Sequence, residues 1–297
     1  MSKKMNKTLK SLALSFGKLV PDKLYLKIFY KKALGKKLDL NNPVTYNEKI
    51  QWMKLYYRKK IMTELVDKYE VRKHITKAIG EEYLFPLYGV WDSPEEIDYD
   101  ALPDQFVLKC THDSGSVIIC KDKNSFDRNA ANAKLKKCLC HNWYWNCREW
   151  PYKNVKPRVI AEQYMVDESN VELKDYKFFC FNGEVKAFFV ATDREKGDKE
   201  VKFDFYDMEL NHLPFKHGHE WSGKPFKKPE NFDEMVRLAA KLSEGWPQVR
   251  IDLYNINGRI YFGEMTFSHH SGFVPFEPEE WDYTFGEWFK LPERIIE

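Results

Sequence analysis

The stretch Val249–Thr266, VRIDLYNINGRIYFGEMT, decides the fold. Two apolar-rich runs flank Asn257-Gly258, a pair that favours the tight hairpin turns whose twist matches that of paired strands. Arg250 and Asp252 alternate with Val249, Ile251 and Leu253, so the period of two puts both on one face. The turn brings Asp252 across from the Phe262–Glu264 region, and Thr266 follows on the returning strand. Two carboxylates that meet beside an arginine repel each other unless compensated. A salt-bridged surface neutralised by Arg250 is one solution, and a magnesium ion held by the acids is the other.

A second hairpin lies upstream, Tyr176–Phe181 and Glu184–Ala191 joined at Asn182-Gly183, with Lys177 as one cation in an aromatic strand. The spacing predicts a helix over about 232–244 between the hairpins, with Asn231 as its cap, Gly245 at its end, and Met235, Leu238, Ala239 and Leu242 as its buried stripe. Short β-type runs cover Phe106–Cys110, Val117–Cys120 and Arg158–Tyr164. Lys109 stands inside the first, where it either snorkels to water or points into a polar cleft. The turn Thr111–Ser116 that follows holds Ser114, Gly115 and Ser116, and its backbone N–H groups suit a phosphate.

The N-terminal part reads helical. Leu24, Ile28 and Leu34 recur near helical spacing after Pro21, Thr45 and Glu48 form a capping box, and one further helix is expected over about Thr63–Ile79, ending at Gly80. Helices followed by antiparallel hairpins give an α+β architecture. No G-x-G-x-x-G, G-x-x-x-x-G-K-[ST] or G-x-S-x-G occurs, which removes the usual supports for Rossmann, P-loop and α/β-hydrolase readings.

Residues 1–40 hold eleven lysines against Asp22 and Asp39, in a chain of net charge +3. Such an arm suits an anionic membrane or polymer, or is simply a solvated Lys-rich helix. No apolar run approaches the roughly 20 residues that span a bilayer, and a cytoplasmic protein, at most peripheral at the inner membrane face, is expected. Cys138, Cys140, His141 and Cys147 lack the usual zinc-knuckle spacing, and the cysteines read as reduced thiols. The aromatics of His141–Cys147 suit either a packed helix or a sugar-stacking surface.

The ordered series Asp67-Lys68, Arg72, Gly80, Pro86, then Lys109 with its glycine loop, then Ile160-Ala161-Glu162-Gln163-Tyr164, Lys177, the Arg250–Asp252 strand and Glu264–Thr266 resembles the ATP-grasp superfamily. More narrowly, YNEKIQWMKL (46–55), GEEYLFPLYGVW (80–91) and EMTF (264–267) are similar to the TupA-like, teichuronopeptide-biosynthesis branch. The resemblance implies an ATP-grasp fold: two α+β subdomains clasping ATP, with a helical N-terminal extension. The implied divisions are a basic extension 1–60, a linking segment 61–105, a lid subdomain 106–165 and a C-terminal subdomain 166–297.

The resemblance also implies roles. Lys68, Lys109 and the Ser114–Ser116 turn would meet ATP phosphates. Glu162 would accept from the adenine amino group, with the backbone of Gln163, Tyr164 and Met165 beside the ring and Asp167 or Glu168 on the ribose. Lys177 would reach nucleotide or phosphate, Arg250 would stabilise the transferring phosphoryl group, and Asp252, Glu264 and Thr266 would hold Mg2+. His269 and His270, which follow the metal strand, either deprotonate an amine or are loop residues bonded to backbone. Thr266 stands where the superfamily usually has asparagine. The reaction implied is a carboxylate–amine ligation through an acyl phosphate. It would join an amine or amino acid to the uronic-acid carboxylate of a cell-surface polysaccharide, with no nucleic-acid partner. A phosphotransferase using the same cleft and a non-catalytic relative are the alternatives. Thr111–Ser116 is expected to act as a flap that excludes water.

Overall fold

Five strands in the order β10-β9-β6-β7-β8, all antiparallel, form the main sheet of the computed structural model, which describes residues 18–167, 173–193 and 201–297. They are β6 (Asp175–Phe181), β7 (Glu184–Thr192), β8 (Lys202–Tyr206), β9 (Val249–Ile256) and β10 (Arg259–Thr266). A second antiparallel sheet, ordered β2-β5-β3-β4, joins β2 (Leu87–Trp91), β3 (Phe106–Cys110), β4 (Ile118–Cys120) and β5 (Val159–Gln163). A short parallel pair links β1 (Tyr57–Arg58) to β11 (Ile295–Ile296). The first 17 residues, with Lys3, Lys4, Lys7 and Lys10, lie outside the described residues. Among the described residues no helix is long and apolar enough to cross a membrane.

Both Asn-Gly hairpins form. Asn182 and Asn257 take the left-handed backbone (φ 52° and 51°) that such tight turns need. Every residue of β6 is buried, so both faces of the main sheet are covered. Phe178 and Phe188 pack on Phe232, at the start of the Phe232–Leu242 helix, whose buried stripe is the expected Met235, Leu238, Ala239 and Leu242. On the opposite face Phe179 and Phe181 meet Tyr46 and Phe285 edge-on. Tyr46 opens the Tyr46–Tyr56 helix under its capping box, and Phe285 belongs to the Glu280–Trp288 helix. These two helices cover only part of that face and leave room for polar groups on the remainder.

Two local expectations are corrected, and the helix expected after Pro21 forms over Asp22–Leu34. The single helix over 63–79 is two, Ile61–Val66 and Val71–Ala78. Asp67 interrupts it, because its Oδ1 accepts from the backbone N–H groups of Tyr69 (2.8 Å) and Glu70 (3.3 Å), while Oδ2 takes Arg158 at 2.9 Å. Asn231 does not cap the Phe232–Leu242 helix: its amide bridges Asn255 and the Gly258 carbonyl instead. In the Asp22–Leu34 helix the buried residues are Leu26 and Tyr30, whereas Leu24 (51% exposed) and Ile28 (58%) face outward.

Candidate active site

Register across the main sheet builds the site. Lys177 on β6 pairs with Asp252 on β9, which pairs with Glu264 on β10, so one row carries a cation and two carboxylates. Arg250 and Thr266 stand opposite each other in the neighbouring row. A bulge at Phe262–Glu264 aims the Glu264 side chain, 41% exposed, while Asp252 is closed off at 1%.

The charges interlock. Asp252 accepts from Arg250 Nε and Nη2, each at 2.7 Å, and from Lys177. Arg250 Nη2 also donates to Glu264 Oε1 (2.8 Å) and to the Thr266 hydroxyl (3.0 Å), and Nη1 meets His269 Nδ1 at 2.6 Å. Asp175, two residues before Lys177 and on the same face, accepts from it at 2.6 Å. Burial pushes the Asp252 carboxyl up to about 6 against the pull of Arg250 and Lys177. Partial desolvation raises Glu264 as well, but Lys177, Arg250 and Lys68 outweigh it and hold the group down to about 2. Solvent at its open edge screens part of that attraction. Two hard oxygen donors on adjacent strands, with a hydroxyl beside them, are a donor set that fits Mg2+.

The smaller sheet supplies the facing wall. Lys109 Nζ lies 2.5 Å from Glu162 Oε2, and Arg72 comes within 3.5 Å of the other Glu162 oxygen. Lys109 also sits 5.7 Å over the Phe85 ring. Phe85 stacks on Tyr261 (4.8 Å) and meets Tyr254 edge-on (5.6 Å), so it joins this wall to the β9–β10 hairpin. Lys68 binds the Lys109 loop, its N–H to Thr111 O at 3.1 Å and its ammonium to Asp113 O, and its charge reaches Glu264. Lys68 thus links the Lys109 loop to Glu264 by charge, and Lys109 reaches the β9–β10 hairpin through Phe85.

Other expected positions fare differently. Ser114 and Gly115 are exposed at the loop tip, but Ser116 is buried, its hydroxyl donating to Asp113 (2.6 Å) and accepting from Cys110 N (2.8 Å). Thr111, His112 and Asp113 are buried too, with His112 Nε2 at 3.0 Å from His141 O. The flap expected over 111–116 thus shrinks to its two-residue tip. The Gln163 N–H is occupied by Pro86 O (3.0 Å), and the Met165 side chain packs against the cluster of Phe85, Ile256 and Tyr261. Asp167 is buried and bonds Lys174 at 3.1 Å, and Glu168 lies outside the described residues.

His269 and His270 fit a base role poorly. Burial drives His269 well below its ordinary value, and Arg250 holds its Nδ1. Burial, with Arg250, pushes His270 down to about 3. Of the His141–Cys147 aromatics, Tyr144 is buried and donates to Asp22 (2.6 Å).

The sequence reading passed over several polar residues around the cluster. Asp175 was legible from alternation with Lys177. Lys54 was not: its ammonium is buried, donates to Gln51, Cys147 and Ser271, and is brought down to about 8 by desolvation. Glu149 accepts from the Ser271 hydroxyl at 2.5 Å and is raised by burial. Two open depressions lie outside the cluster and include neither Asp252 nor Glu264. One, about 990 Å3, runs past Arg72, Phe85 and Arg259; the other, about 360 Å3, lies between Tyr30 and Asp282.

A model of the TupA-like ATPgrasp family matches residues 48–290. No curated protein matches the chain. Among solved structures, the chain is similar to D-alanine–D-alanine ligase from Bacillus anthracis complexed with ATP (15% identity, 69% of this chain and 55% of that one, TM-score 0.40). It is also similar to a RimK domain ATP-grasp protein from Sphaerobacter thermophilus (12%, 84% and 72%, TM-score 0.40). The ATP-grasp ligase PsnB complexed with minimal precursor, Mg and ADP is a third (13%, 74% and 57%, TM-score 0.38). The chain thus spans just over half the length of the first ligase.

Proposed function

Because the chain belongs to the TupA-like ATP-grasp family, we propose that it is an ATP-dependent carboxylate–amine ligase. The observation that carries this reading is the row Lys177–Asp252–Glu264, clasped by Arg250, with the charge of Lys68 reaching Glu264. A cluster of this kind suits a triphosphate with its metal better than it suits stability, since ion pairs held this far from water gain little over apolar packing. The family match and the oxygen donors of Asp252 and Glu264 support ATP with Mg2+ as the cofactors.

In this reading Asp252 and Glu264 hold Mg2+, with the Thr266 hydroxyl beside them. Lys68 and Lys109 contact phosphates. Lys177 and Arg250 face the oxygens on which charge builds during transfer, where fixed cations lower the barrier most. Glu162 orients Lys109 and takes the adenine amino group, and Phe85 and Met165 offer the flat apolar flank a purine needs. Bound ATP would supply the phosphoryl group that turns a carboxylate into an acyl phosphate. The Ser114–Gly115 tip and the aromatic packing around Phe85 keep water from that reactive group.

The acceptor we propose is a uronic-acid carboxylate of a cell-surface polysaccharide or its precursor, and the donor an amine or amino acid. The Lys-rich residues 1–40 would hold the enzyme at an anionic membrane or polymer on the cytoplasmic side. A screen of uronic-acid oligosaccharides against amines, read as acceptor-dependent ADP release with product mass, tests the proposal. An amide with free phosphate supports it, phosphate retained on the acceptor makes the chain a phosphotransferase, and no ADP release with any pair leaves a non-catalytic relative.

A further inference from the structure

Beside Arg250, three imidazoles converge. One ring nitrogen from each of His217, His269 and His270 lies within 4.8 Å of the other two. The rings of His269 and His270 are 4.2 Å apart, and that of His217 is 4.9 and 5.0 Å from them. His217 and His269 are fully buried, among Phe179, Phe189 and Phe276. His217 Nδ1, His269 Nε2 and His270 Nε2 are buried with no hydrogen-bond partner. Three orphaned nitrogens in one spot are costly to maintain unless something fills the space between them.

The other nitrogens are engaged in the way metal-binding histidines usually are. His217 Nε2 donates to Val274 O at 3.1 Å, which leaves Nδ1 with its lone pair free. The His270 ring is hydrogen-bonded to the His217 backbone, so the two residues brace each other. The backbone is held unusually as well: His270, Ser271 and Gly272 are consecutive residues at positive φ (47°, 55° and 62°). Only a firmly determined surrounding keeps non-glycine residues there, and such strain gathers at ligand clamps. Gly218 keeps the space before His270 open, since a Cβ at that position would lie 3.3 Å from Nε2.

We propose that His217, His269 and His270 form a binding site for a borderline divalent transition metal, Zn2+ in the first instance, separate from the carboxylate pair on β9 and β10. Neutral imidazoles select this class of ion over Mg2+, which demands oxygen donors. Nitrogens around one tetrahedral zinc stand about 3.3 Å apart, given Zn–N bonds of 2.0–2.1 Å, so the cluster must close by small ring movements. His217 Nδ1 and His270 Nε2 bind with ready lone pairs. His269 differs: Arg250 donates to its Nδ1, so Nε2 carries the proton in the metal-free chain. Zinc uptake there expels that proton to solvent and leaves an imidazolate that the guanidinium stabilises. The positive charge of Arg250 opposes the ion, and the carboxylates of Asp252 and Glu264 that clasp it offset that opposition. The zinc ties the Lys216–Gly218 segment to the exit of β10 and fixes the histidine on which Arg250 leans. The site is thus a positioning device for the arginine.

The test uses the full chain, stripped with chelator and reloaded with Zn2+ or Co2+ in the absence of nucleotide, so that its outcome is independent of the ligase assignment. The expected result is an equimolar amount of zinc by elemental analysis, a cobalt visible spectrum of four- or five-coordinate intensity, and proton release on loading. His217→Phe keeps the ring stacked on Phe276 but removes both nitrogens. It should weaken zinc more than about 100-fold, beyond what losing a mere supporting hydrogen bond costs, while circular dichroism of the metal-free protein stays unchanged. His270→Gln serves as the second variant should the first not fold. A folded wild-type chain that takes up no equimolar zinc, or folded variants that bind it as tightly as the wild type, would overturn the proposal.

Discussion

Lys177, Asp252 and Glu264 form one row across β6, β9 and β10. Alternation put Arg250 and Asp252 on one face, and the Asn-Gly turn put Glu264 across from Asp252, as the register of β9 and β10 has them. The partnership of Lys177 with Asp252 depends on β6 lying next to β9, and no local pattern encodes which strands become neighbours. The same limit hid Lys54 and Glu149, whose partners come from segments far along the chain. At this scale we expect Lys109→Ala and Glu264→Gln to lower ATP turnover by about 10^2-fold or more, as loss of a group facing transition-state charge does, with unchanged circular dichroism. Wild-type turnover in both would end the assignment of those two residues. The acidity of Asp252 adds a pH dependence. Its carboxyl is raised to about 6, so it is ionised at pH 7.5 and increasingly protonated as pH falls through that value. Only the ionised form binds a cation well, so Mg2+-dependent nucleotide binding should weaken between pH 7 and 5. A Mg2+ titration at several pH values checks this, and Asp252→Asn should flatten the dependence.

Elements were legible where the local code is strong. The Thr45–Glu48 capping box forms as expected, with the Thr45 hydroxyl accepting from Glu48 N and the Glu48 carboxylate from Thr45 N. Thr45→Ala should cost about 1 kcal/mol in urea unfolding. The buried stripe of the Phe232–Leu242 helix is likewise as spaced, and Leu238→Ala should cost about 2–5 kcal/mol, against under about 0.5 kcal/mol for a change at an exposed surface position. The misreadings share one cause. Asp67 broke a periodic stretch because its side chain serves the backbone ahead of it and Arg158, just before β5, at once. Asn231 gave up capping for contacts across to Asn255 and Gly258. In both, a tertiary partner outbid the local role, and sequence spacing carries no sign of that. The Leu24–Ile28 spacing is helical, but the stripe faces outward because Leu26 and Tyr30 won the contacts with the core.

For the whole molecule, the α+β class and the two sheets follow from the order of strands, and the family match spans residues 48–290. How the sheets meet does not follow, since Phe85 sits in a segment with no pattern that announces it. The lysine-rich start, with Leu24 and Ile28 exposed beside Lys23, Lys27 and Lys31, gives a prediction at this scale. The full chain should sediment with anionic vesicles at low salt and be released at high salt, because charge attraction is screened within about 8–10 Å at physiological ionic strength. Removing residues 1–20 should weaken that association and leave ATP binding intact; salt-independent sedimentation would count against an electrostatic anchor. The stack of Phe85 on Tyr261 has a mechanical consequence. Stacked aromatic pairs add about 0.5–1.5 kcal/mol beyond the area they bury. Phe85 stands two residues before β2 and rests on the β9–β10 hairpin, so trimming its ring would loosen the strand that follows it from the one that carries Glu264.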